Sequence, residues 1–450
     1  MPKTILVTGG PGFGGHNVVI IGTGYVGLTT GVCLASLGHK VICVDKDKTK
    51  IEKLNKGIIP IFEPGLGELL KDHRNRISFT QDLRGTVQGG SVVFIAVGTP
   101  SLKDGNIDLT YLKKAVAEIA KAMRGYIIIV NKSTVPIGTG EWARKEIARY
   151  FKGEFSIVSN PEFLREGTAI KDFLEPDRVV LGLEKQEDGS FDPRPKEIML
   201  DIYSSVAAPK LLTDIKSAEL IKYASNAFLA TKISFINEMA NICDRTGGDV
   251  KEIAKGIGGD KRIGPQFLNA GLGYGGSCFP KDVDGLISIA KNFGYELEIL
   301  KAVNKVNKRQ RVNFANSIKK VLKKIKGETV CIWGLSFKPN TDDIREAPAM
   351  EIIKALQKAG YKIQVYDPIA MENAKKDLPK IKIKFCESAK EAAKGADVLA
   401  LVTEWPEFSE IDMSEIIKVV RNPIIIDGRN LFEPQEMRKI GFEYYGIGKQ

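Results

Sequence analysis

The segment GLGYGGSCFPKD at residues 271–282 combines a cysteine with glycines and two charged side chains. Cys278 is followed closely by Lys281 and Asp282, which supply a cation and a carboxylate beside the sulfur. A nearby cation favours the thiolate, and the thiolate is the reactive form of cysteine. The glycines indicate open space around the sulfur. We therefore interpret Cys278 as a nucleophile, and the other cysteines as inert buried thiols.

A second pair of polar residues lies in residues 217–246, a stretch without glycine or proline that predicts a long helix. Lys222 and Asn226 are four residues apart, so they share one face of that helix. An ammonium and an amide on one face can stabilise one negatively charged oxygen, although such pairs are also common on solvated faces. The histidines lie at positions 16, 39 and 73, so a Cys-His dyad has little support.

Two glycine motifs lie near the start of the chain. ILVTGGPGFGGH at residues 5–16 is similar to the opening of extended short-chain dehydrogenases and sugar epimerases, but it runs directly into another strand-like segment. No helix then follows whose N-terminus could bind a phosphate. Gly22, Gly24 and Gly27 instead follow a strand and open an uncharged, helix-like segment. We predict that this second motif is the working one and that residues 1–16 are an extension.

The second motif has the spacing of a dinucleotide-binding turn. Gly22 permits the tight turn, Gly24 lets the backbone approach a pyrophosphate, and Gly27 allows close packing of helix on strand. The next strand ends at Asp45. Its carboxylate would accept hydrogen bonds from ribose hydroxyls and repel a 2′-phosphate, which predicts NAD rather than NADP as the cofactor.

The elements that must position these residues alternate along the chain. With 450 residues, 43% of them hydrophobic, the chain suits two to three domains and is not expected to be disordered. Short β-rich runs alternate with helix-length stretches on both sides of the predicted helix, which indicates an α/β fold. We predict two Rossmann-like doubly wound α/β domains joined by an all-helical middle segment with a long connecting helix. The second run weakly repeats the first, and chance similarity of buried strands is the alternative.

The composition limits the partners and the compartment. A net charge of +11 favours anionic partners such as phosphates, nucleic acid or an acidic membrane surface. The cysteines form no C-x-x-C pair, so neither a disulfide framework nor a metal site is expected, and a reducing cytoplasm is the simplest compartment. The start of the chain lacks the features of a secretion signal. Residues 17–39 carry no ionised side chain, but their glycines favour a buried strand and helix over a membrane span.

From Val18 onward the sequence resembles the UDP-glucose/GDP-mannose dehydrogenase family. Several long motifs occur in the family's order, and the N-terminal extension is the one departure, since the family would start near Asn17. The motifs are IGTGYVGL at 21–28, KIEKLNKGIIPIFEPGL at 50–66, VGTP at 97–100, KSTVPIGT at 132–139, SNPEFLREGTAIKDFLEPDRVVLG at 159–182, AELIKYASNAFLATKISFINE at 218–238, GYGGSCFPKD at 273–282 and SFKPNTDDIREAP at 336–348.

The resemblance implies an NAD-dependent, four-electron oxidation of a nucleotide sugar at C6. Cys278 would capture the intermediate aldehyde as a thiohemiacetal, which is oxidised to a thioester and hydrolysed to the uronic acid with two NAD consumed. It also implies a homodimer or higher homo-oligomer, assembled through the long helix. The expected domains are residues 17–213 for NAD binding, 214–316 for the helical central and dimerisation region, and 317–450 for the UDP-sugar, after a non-functional extension at 1–16.

The resemblance also assigns roles to individual positions. The catalytic set is Cys278, Lys222, Asn226, Asp282, Thr134 and Glu162, with Lys222 and Asn226 at the oxyanion and Asp282 assisting proton transfer. The cofactor set is Gly22, Gly24, Tyr25, Val26, Gly27, Asp45, Lys50, Thr99, Thr134 and Arg345. The substrate set is Phe163, Leu164, Glu166, Lys222, Asn226, Arg262, Tyr274, Gly275, Lys338 and Arg429, with Arg262 expected to reach a neighbouring subunit's substrate.

Three alternatives remain open at this point. Residues 159–182 favour the UDP-glucose branch of the family, but UDP-N-acetylmannosamine or GDP-mannose is also compatible with the motifs. A two-electron hydroxyacid dehydrogenase would share the fold and Lys222 but would have no use for Cys278. A non-enzymatic nucleic-acid binder would fit the charge and would leave both the glycine motif and the cysteine loop unexplained.

Overall fold

The computed structural model describes residues 15–102, 104–379 and 382–449. The chain divides into two compact units, of which the first ends at Ser225 and the second begins at Asn226. Most of the predicted extension, residues 1–14, lies outside the described residues. Among the helices of the described part, none has the length and apolar character needed to cross a bilayer.

The first unit is built on an eight-stranded sheet with the order β3-β2-β1-β4-β5-β6-β7-β8. Every neighbouring pair is parallel except β6 and β7, which are antiparallel. The first six strands thus have the order of a doubly wound dinucleotide-binding fold. The strands are β1 (Asn17–Ile21), β2 (Lys40–Val44), β3 (Ile77–Thr80), β4 (Val92–Ile95), β5 (Ile128–Asn131), β6 (Ser156–Ser159), β7 (Val179–Leu183) and β8 (Lys210–Asp214).

Helices cover both faces of this sheet. Val18 and Ile20 pack into one apolar cluster, and Val19 and Ile21 pack into the other, as expected for a parallel strand buried on both faces. The helices are α1 (Tyr25–Ser36), α2 (Lys48–Asn55), α3 (Leu66–Asp72), α4 (Leu83–Gly89), α5 (Thr110–Ala122), α6 (Thr139–Tyr150), α7 (Ala169–Leu174) and α8 (Pro193–Ile202). The long helix α9 (Ile215–Thr246) follows and runs through the boundary at Ser225.

The second unit contains a helical part and a second sheet. After α9 come α10 (Val250–Gly258), α11 (Phe279–Asn292) and α12 (Glu298–Ile325). The sheet has six parallel strands in the order β11-β10-β9-β12-β13-β14. Its elements are β9 (Thr329–Trp333), α13 (Pro348–Lys358), β10 (Lys362–Tyr366), α14 (Met371–Asp377), β11 (Ile383–Phe385), α15 (Ala389–Ala393), β12 (Val398–Leu401), α16 (Pro406–Glu410), α17 (Met413–Ile416), β13 (Ile424–Asp427), α18 (Pro434–Ile440) and β14 (Glu443–Tyr445).

The predicted fold class is confirmed, and the weak sequence repeat corresponds to a repeated architecture. Numbered within its own sheet, the second unit has the same strand order as the first six strands of the first unit. The turns after the first strands also agree: Gly22 has φ of +99° and Gly334 has φ of +93°, which favours glycine at both positions. The long helix was predicted at residues 217–246 and is observed within two residues of those limits.

His16 was assigned to the N-terminal extension, but it makes specific contacts within the first unit. Its carbonyl oxygen accepts the amide hydrogen of Lys40 at 2.9 Å, and its imidazole Nε2 lies 2.7 Å from the carboxylate of Asp201. Its amide hydrogen is donated to Nδ1 of His39 at 3.2 Å. Since Nδ1 of His39 accepts, its Nε2 carries the proton and donates to the carbonyl oxygen of Ile202 at 3.0 Å.

His39 is predicted to make stability fall in mild acid. Burial lowers the pKa of His39 below its usual 6.5, and protonation would place a second N–H opposite the amide of His16. The His39 contribution is therefore fully present above pH 6.5 and is lost as the pH falls through the lowered native-state pKa. Thermal unfolding of wild type and His39→Phe at pH 5 to 8 measures this, and His73→Phe is the control. An equal acid sensitivity in wild type and His39→Phe would contradict the prediction.

Candidate active site

The turn between β1 and α1 has the geometry of a dinucleotide-binding turn. The amide hydrogen of Gly22 is donated to the carbonyl oxygen of Val44 at 2.8 Å, which joins the turn to β2. A Cβ at Gly27 would lie 2.0 Å from the Gly22 carbonyl oxygen, whereas a Cβ at Gly24 would have no neighbour within 4 Å. The turn is thus closely packed on its helix side and open beside Gly24, where Tyr25 and Val26 begin α1. This arrangement suits a pyrophosphate at the N-terminus of α1.

Asp45 follows the last residue of β2 and faces the same turn. Its Oδ2 accepts the amide hydrogen of Thr23 at 2.9 Å, the Thr23 hydroxyl at 2.7 Å and the Lys50 ammonium at 3.3 Å. Burial opposes ionisation, but the hydrogen bonds from Asp47 and Thr23 outweigh it and hold the pKa of Asp45 below its usual value. Its Oδ1 accepts the amide hydrogen of Asp47, and a carboxylate oxygen has capacity for a further donor such as a ribose hydroxyl.

The loops after β4 and β5 meet near their predicted functional residues. The Thr99 hydroxyl donates to the Thr134 carbonyl oxygen at 2.9 Å. The loop that carries Thr134 ends at the N-terminus of α6, where Glu219 of α9 accepts the amide hydrogens of Gly138 at 2.6 Å and Gly140 at 2.8 Å. Burial raises the pKa of Glu219 to about 7, and these two hydrogen bonds oppose the shift.

Lys222 is buried in the first unit beside a carboxylate and an aromatic ring. Its ammonium lies 3.0 Å from Oε1 of Glu162 and 5.2 Å from the ring centroid of Phe163. The second oxygen of Glu162 accepts the amide hydrogen of Leu164 at 2.6 Å, so one carboxylate orders both the lysine and the loop. The guanidinium of Arg178 lies 3.8 Å from the Phe163 ring centroid. Four predicted or adjoining side chains therefore form one packed cluster.

Lys132 is a second buried lysine in the first unit. Its ammonium donates to the side-chain oxygen of Asn160 at 3.0 Å, and Tyr203 donates to the same oxygen at 2.6 Å. Burial lowers the pKa of Lys132 to about 8, although the charge of Glu162 opposes this shift. Two lysines thus share the field of one glutamate, which makes this region electropositive.

In the second unit, Cys278 occupies the N-cap position of α11. The positive end of a helix dipole favours an anion at this position. The Ser277 hydroxyl lies 3.6 Å from the sulfur. The other cysteines are buried, as predicted, and Cys278 is the partly exposed one among the six thiols.

Asp282 lies one helical turn after Cys278 and is almost fully buried, with 1% of its surface exposed. One carboxylate oxygen accepts the side-chain amide of Asn226 at 2.6 Å, and the other accepts the Lys281 ammonium at 2.6 Å. The amide hydrogen of Asp282 is donated to the Cys278 carbonyl oxygen at 2.8 Å. Asp282 therefore connects the Asn226 amide to the first turn of α11, where Cys278 lies.

The glycines before Cys278 have a different reason from the one that the sequence indicated. A Cβ at Gly273 would lie 2.1 Å from the side-chain oxygen of Asn307, and one at Gly275 would lie 2.2 Å from the Glu346 carbonyl oxygen. A Cβ at Gly276 would contact the Phe337 ring at 2.7 Å. These glycines admit neighbouring protein groups rather than leaving empty space at the sulfur.

Several predicted substrate residues of the second unit lie around this loop. The Arg429 guanidinium donates to the carbonyl oxygens of Gly273 at 3.4 Å and Phe337 at 3.2 Å, next to Lys338. Tyr274 is buried, and its amide hydrogen is donated to Asn307 at 2.9 Å.

The guanidinium groups of two predicted site residues, Arg345 and Arg262, pair with nearby aspartates. The carbonyl oxygen of Arg345 accepts the amide hydrogen of Gly276 at 2.9 Å, while its guanidinium pairs with Asp343. Arg262 lies instead in the exposed turn after α10, where its guanidinium pairs with Asp260 at 2.6 Å.

Thr23, Glu63 and Glu219 are the positioning residues that sequence reasoning did not identify. Thr23 lies inside the glycine motif, so its hydroxyl was a local signal. Glu63 lies inside FEPGL, and its hydrogen-bond partner Gly167 is 104 positions away. Glu219 is 81 positions from Gly138. Spacing along a chain gives no information on pairs so far apart.

Comparison with known proteins gives three matches to one family. The models of the UDP-glucose/GDP-mannose dehydrogenase family match at residues 16–207 for the NAD binding domain, 216–309 for the central domain and 331–434 for the UDP binding domain. The chain is 44% identical to the UDP-glucose 6-dehydrogenase TuaD of Bacillus subtilis over 96% of this chain and 93% of that protein. It is 45% identical to the UDP-glucose 6-dehydrogenase of Rhizobium meliloti over 96% and 99% of the two chains.

Solved structures of dehydrogenases also superpose on this chain. A UDP-glucose dehydrogenase from Pyrobaculum islandicum superposes with a TM-score of 0.88 at 36% identity, over 97% of this chain and 98% of that chain. A UDP-D-ManNAc dehydrogenase from Pyrococcus horikoshii superposes with a TM-score of 0.84 at 27% identity, over 96% and 99% of the two chains.

Asp45→Ser is predicted to narrow the preference for NAD over NADP. The substitution removes the charge that repels a 2′-phosphate and one acceptor for the ribose hydroxyls. Dissociation constants of NADH and NADPH, measured by fluorescence titration, should converge in the variant, chiefly because NADH binding weakens by about tenfold. Asp47→Ser is the matched control, because it changes a nearby aspartate at the N-cap of α2, and it should keep the wild-type preference for NAD over NADP. A wild type that binds both cofactors equally would refute the role of Asp45.

Proposed function

The chain belongs to the UDP-glucose/GDP-mannose dehydrogenase family, and from this we propose that it oxidises the C6 alcohol of UDP-glucose to a carboxylate. The overall reaction converts UDP-glucose, two NAD and water into UDP-glucuronate, two NADH and protons. The observation that carries the proposal is Cys278 at the N-cap of α11 with Asp282 one turn later. A two-electron alcohol dehydrogenase would need no nucleophilic thiol there.

NAD is the hydride acceptor of this family, and the first unit has the features to bind it. The turn at Gly22, Gly24 and Gly27 is suited to the pyrophosphate, and Asp45 to the adenosine ribose. Thr99 and Thr134, which are joined by a hydrogen bond, lie on the loops after β4 and β5. In an open α/β sheet these loops, at the carboxyl ends of the strands, are the usual position of a ligand.

The first oxidation requires removal of the hydroxyl proton and of a hydride from C6. We assign Lys222 to stabilisation of the oxygen that becomes negatively charged, because its ammonium is buried and oriented by Glu162. Asn226, one turn later on α9, contributes an amide and is itself held by Asp282. The product of this step is the aldehyde.

The second oxidation requires a covalent adduct. The Cys278 thiolate adds to the aldehyde carbon, and the carbonyl oxygen takes up a proton to give a thiohemiacetal. Loss of that proton and of a second hydride from C6 leaves a thioester. Water then attacks the thioester carbonyl, the carbon–sulfur bond breaks, and the carboxylate and the free thiolate form. Asp282 is assigned to proton transfer in these steps, with Thr134 and Glu162 assigned to the water.

Cys278→Ala is predicted to fold and to bind NADH normally, yet to form no uronic acid. Without the thiol, the aldehyde cannot become the sp3 adduct from which the second hydride leaves. Wild type should release two NADH per UDP-glucose, measured by absorbance and by quantified sugar product. A serine at this position does not replace the thiol, since a hydroxyl is the weaker nucleophile, so the turnover of Cys278→Ser should fall by at least about a hundredfold.

Cys386→Ala is the matched control, because Cys386 is a buried thiol elsewhere in the second unit. It should keep both turnover and stoichiometry. Release of one NADH per sugar by wild type, or near-normal turnover in Cys278→Ala, would contradict the four-electron mechanism. The same assay with UDP-N-acetylmannosamine and GDP-mannose tests the sugar, and UDP-glucose should give the highest kcat/KM.

We also propose that the enzyme is at least a homodimer and that it works in the cytoplasm. Phe228, Phe235 and Ile242 on α9 are 66%, 48% and 50% exposed. A spacing of seven residues puts them on one face, and an exposed apolar stripe of this kind is typical of a helix that packs against another copy. The six thiols suit a reducing compartment.

Phe235→Glu is predicted to shift the assembly toward monomers, because it places a charge in the middle of the apolar stripe. Analytical ultracentrifugation should show a dissociation constant at least about tenfold higher than for wild type. Ile299→Glu changes an apolar residue on α12 that is more exposed than Phe235, and it should leave the assembly unchanged. A monomeric wild type at micromolar concentration would refute the proposed interface.

A further inference from the structure

Glu63 is a buried carboxylate in the first unit that accepts hydrogen bonds from two different functional segments. Its Oε1 accepts the amide hydrogen of Ala169 at 2.7 Å, and its Oε2 accepts the amide hydrogen of Gly167 at 2.7 Å. The same Oε2 accepts the hydroxyl of Tyr25. One carboxylate therefore joins the start of α1 to the start of α7.

Tyr25 is the residue directly after Gly24, so its position is fixed together with the turn that is suited to the cofactor. The Tyr25 hydroxyl oxygen also accepts the amide hydrogen of Gly167 at 3.2 Å, which closes a three-membered network with Glu63. Burial and the adjacent Glu63 carboxylate both raise the pKa of the Tyr25 phenol, so the hydroxyl stays protonated and able to donate.

Gly167 lies in the same loop as Glu162, between β6 and α7. In this loop Glu162 holds Lys222 and the amide of Leu164, and Phe163 contacts the Lys222 ammonium. Gly167 has φ of +85°, a conformation that favours glycine at this position. The network of Tyr25, Glu63 and Gly167 thus connects the cofactor turn to the loop assigned to the nucleotide sugar.

We propose that Glu63 is a positioning residue that couples the binding of NAD to the binding of the nucleotide sugar. The inference rests on the proposed function. Each ligand orders one end of the same hydrogen-bonded network, so the first ligand leaves less to be ordered by the second. The coupling is reciprocal, and each ligand tightens the binding of the other by the same factor.

A simpler role for Glu63 is the capping of α7 alone. Tyr25→Phe separates the two roles, because it removes the hydroxyl link and keeps both backbone hydrogen bonds to Glu63. Glu63→Gln removes more of the hydrogen bonds. The amide nitrogen of a glutamine replaces one of the two carboxylate oxygens, and it would face the N–H of Ala169 in one orientation or the N–H of Gly167 and the Tyr25 hydroxyl in the other. If Glu63→Gln does not fold, Tyr25→Phe still tests the proposal.

The experiment measures the dissociation constant of NADH with and without saturating UDP-glucose, a combination that does not react. In wild type UDP-glucose should tighten NADH binding by at least about fivefold. In Tyr25→Phe and Glu63→Gln the ratio of the NADH dissociation constants without and with UDP-glucose should fall below about twofold. The double variant should show no further decrease, because both substitutions break the same connection between Tyr25 and Glu63. Glu68→Gln, on the exposed side of α3, should keep the wild-type ratio.

Two outcomes overturn the inference in distinguishable ways. Suppose that wild type produces NADH from UDP-glucose. If UDP-glucose then tightens NADH binding equally in Tyr25→Phe, or does not tighten it in wild type, Glu63 does not couple the two ligands. If wild type produces no NADH with UDP-glucose, UDP-N-acetylmannosamine or GDP-mannose, the proposed function fails and this inference fails with it.

Discussion

Buried and half-buried carboxylates that accept backbone and side-chain hydrogen bonds hold the loops of the candidate site in both units. Asp45 fixes the turn after β1, Glu63 fixes the segment before α7, and Glu219 fixes the start of α6. In the second unit Asp282 holds Asn226 beside the thiol. Removing a carboxylate from water is unfavourable unless several donors replace the water, and each of these groups has at least two. The functional loops are therefore ordered by polar contacts, although the sheets beneath them are apolar.

This constraint separates what the sequence predicts from what it does not. Local periodicity and residues close together in the chain determine the two sheets, the long helix and the cofactor turn. The pattern of glycines and β-rich runs is therefore sufficient to predict the α/β fold class. The partners of Glu63 and Glu219 come from other motifs and are set by the packing of whole elements. The sequence contains those motifs, but it does not show which carboxylate accepts a hydrogen bond from which backbone amide.

In the cysteine loop the glycines have a different spatial role from the one that the sequence indicated. Glycines around a thiol indicate access for a substrate when only the sequence is known. In the fold the same glycines allow Asn307, Glu346 and Phe337 to approach the loop backbone. A rigid loop is the more useful property for catalysis, because a nucleophile must be held in one orientation toward the carbon that it attacks.

The two sheets share a strand order but differ in the surroundings of the aspartate that follows the second strand. Asp367 follows β10 as Asp45 follows β2, but its carboxylate accepts the amide hydrogens of Leu335 at 2.7 Å and Ser336 at 3.1 Å and the indole N–H of Trp405 at 3.0 Å. Its other oxygen accepts two further amide hydrogens, from Ile369 and Ala370. With its lone pairs committed and its side chain buried, Asp367 is poorly suited to the ribose-binding role proposed for Asp45. The same strand order thus presents a partly exposed carboxylate in the first unit and a buried, fully hydrogen-bonded carboxylate in the second.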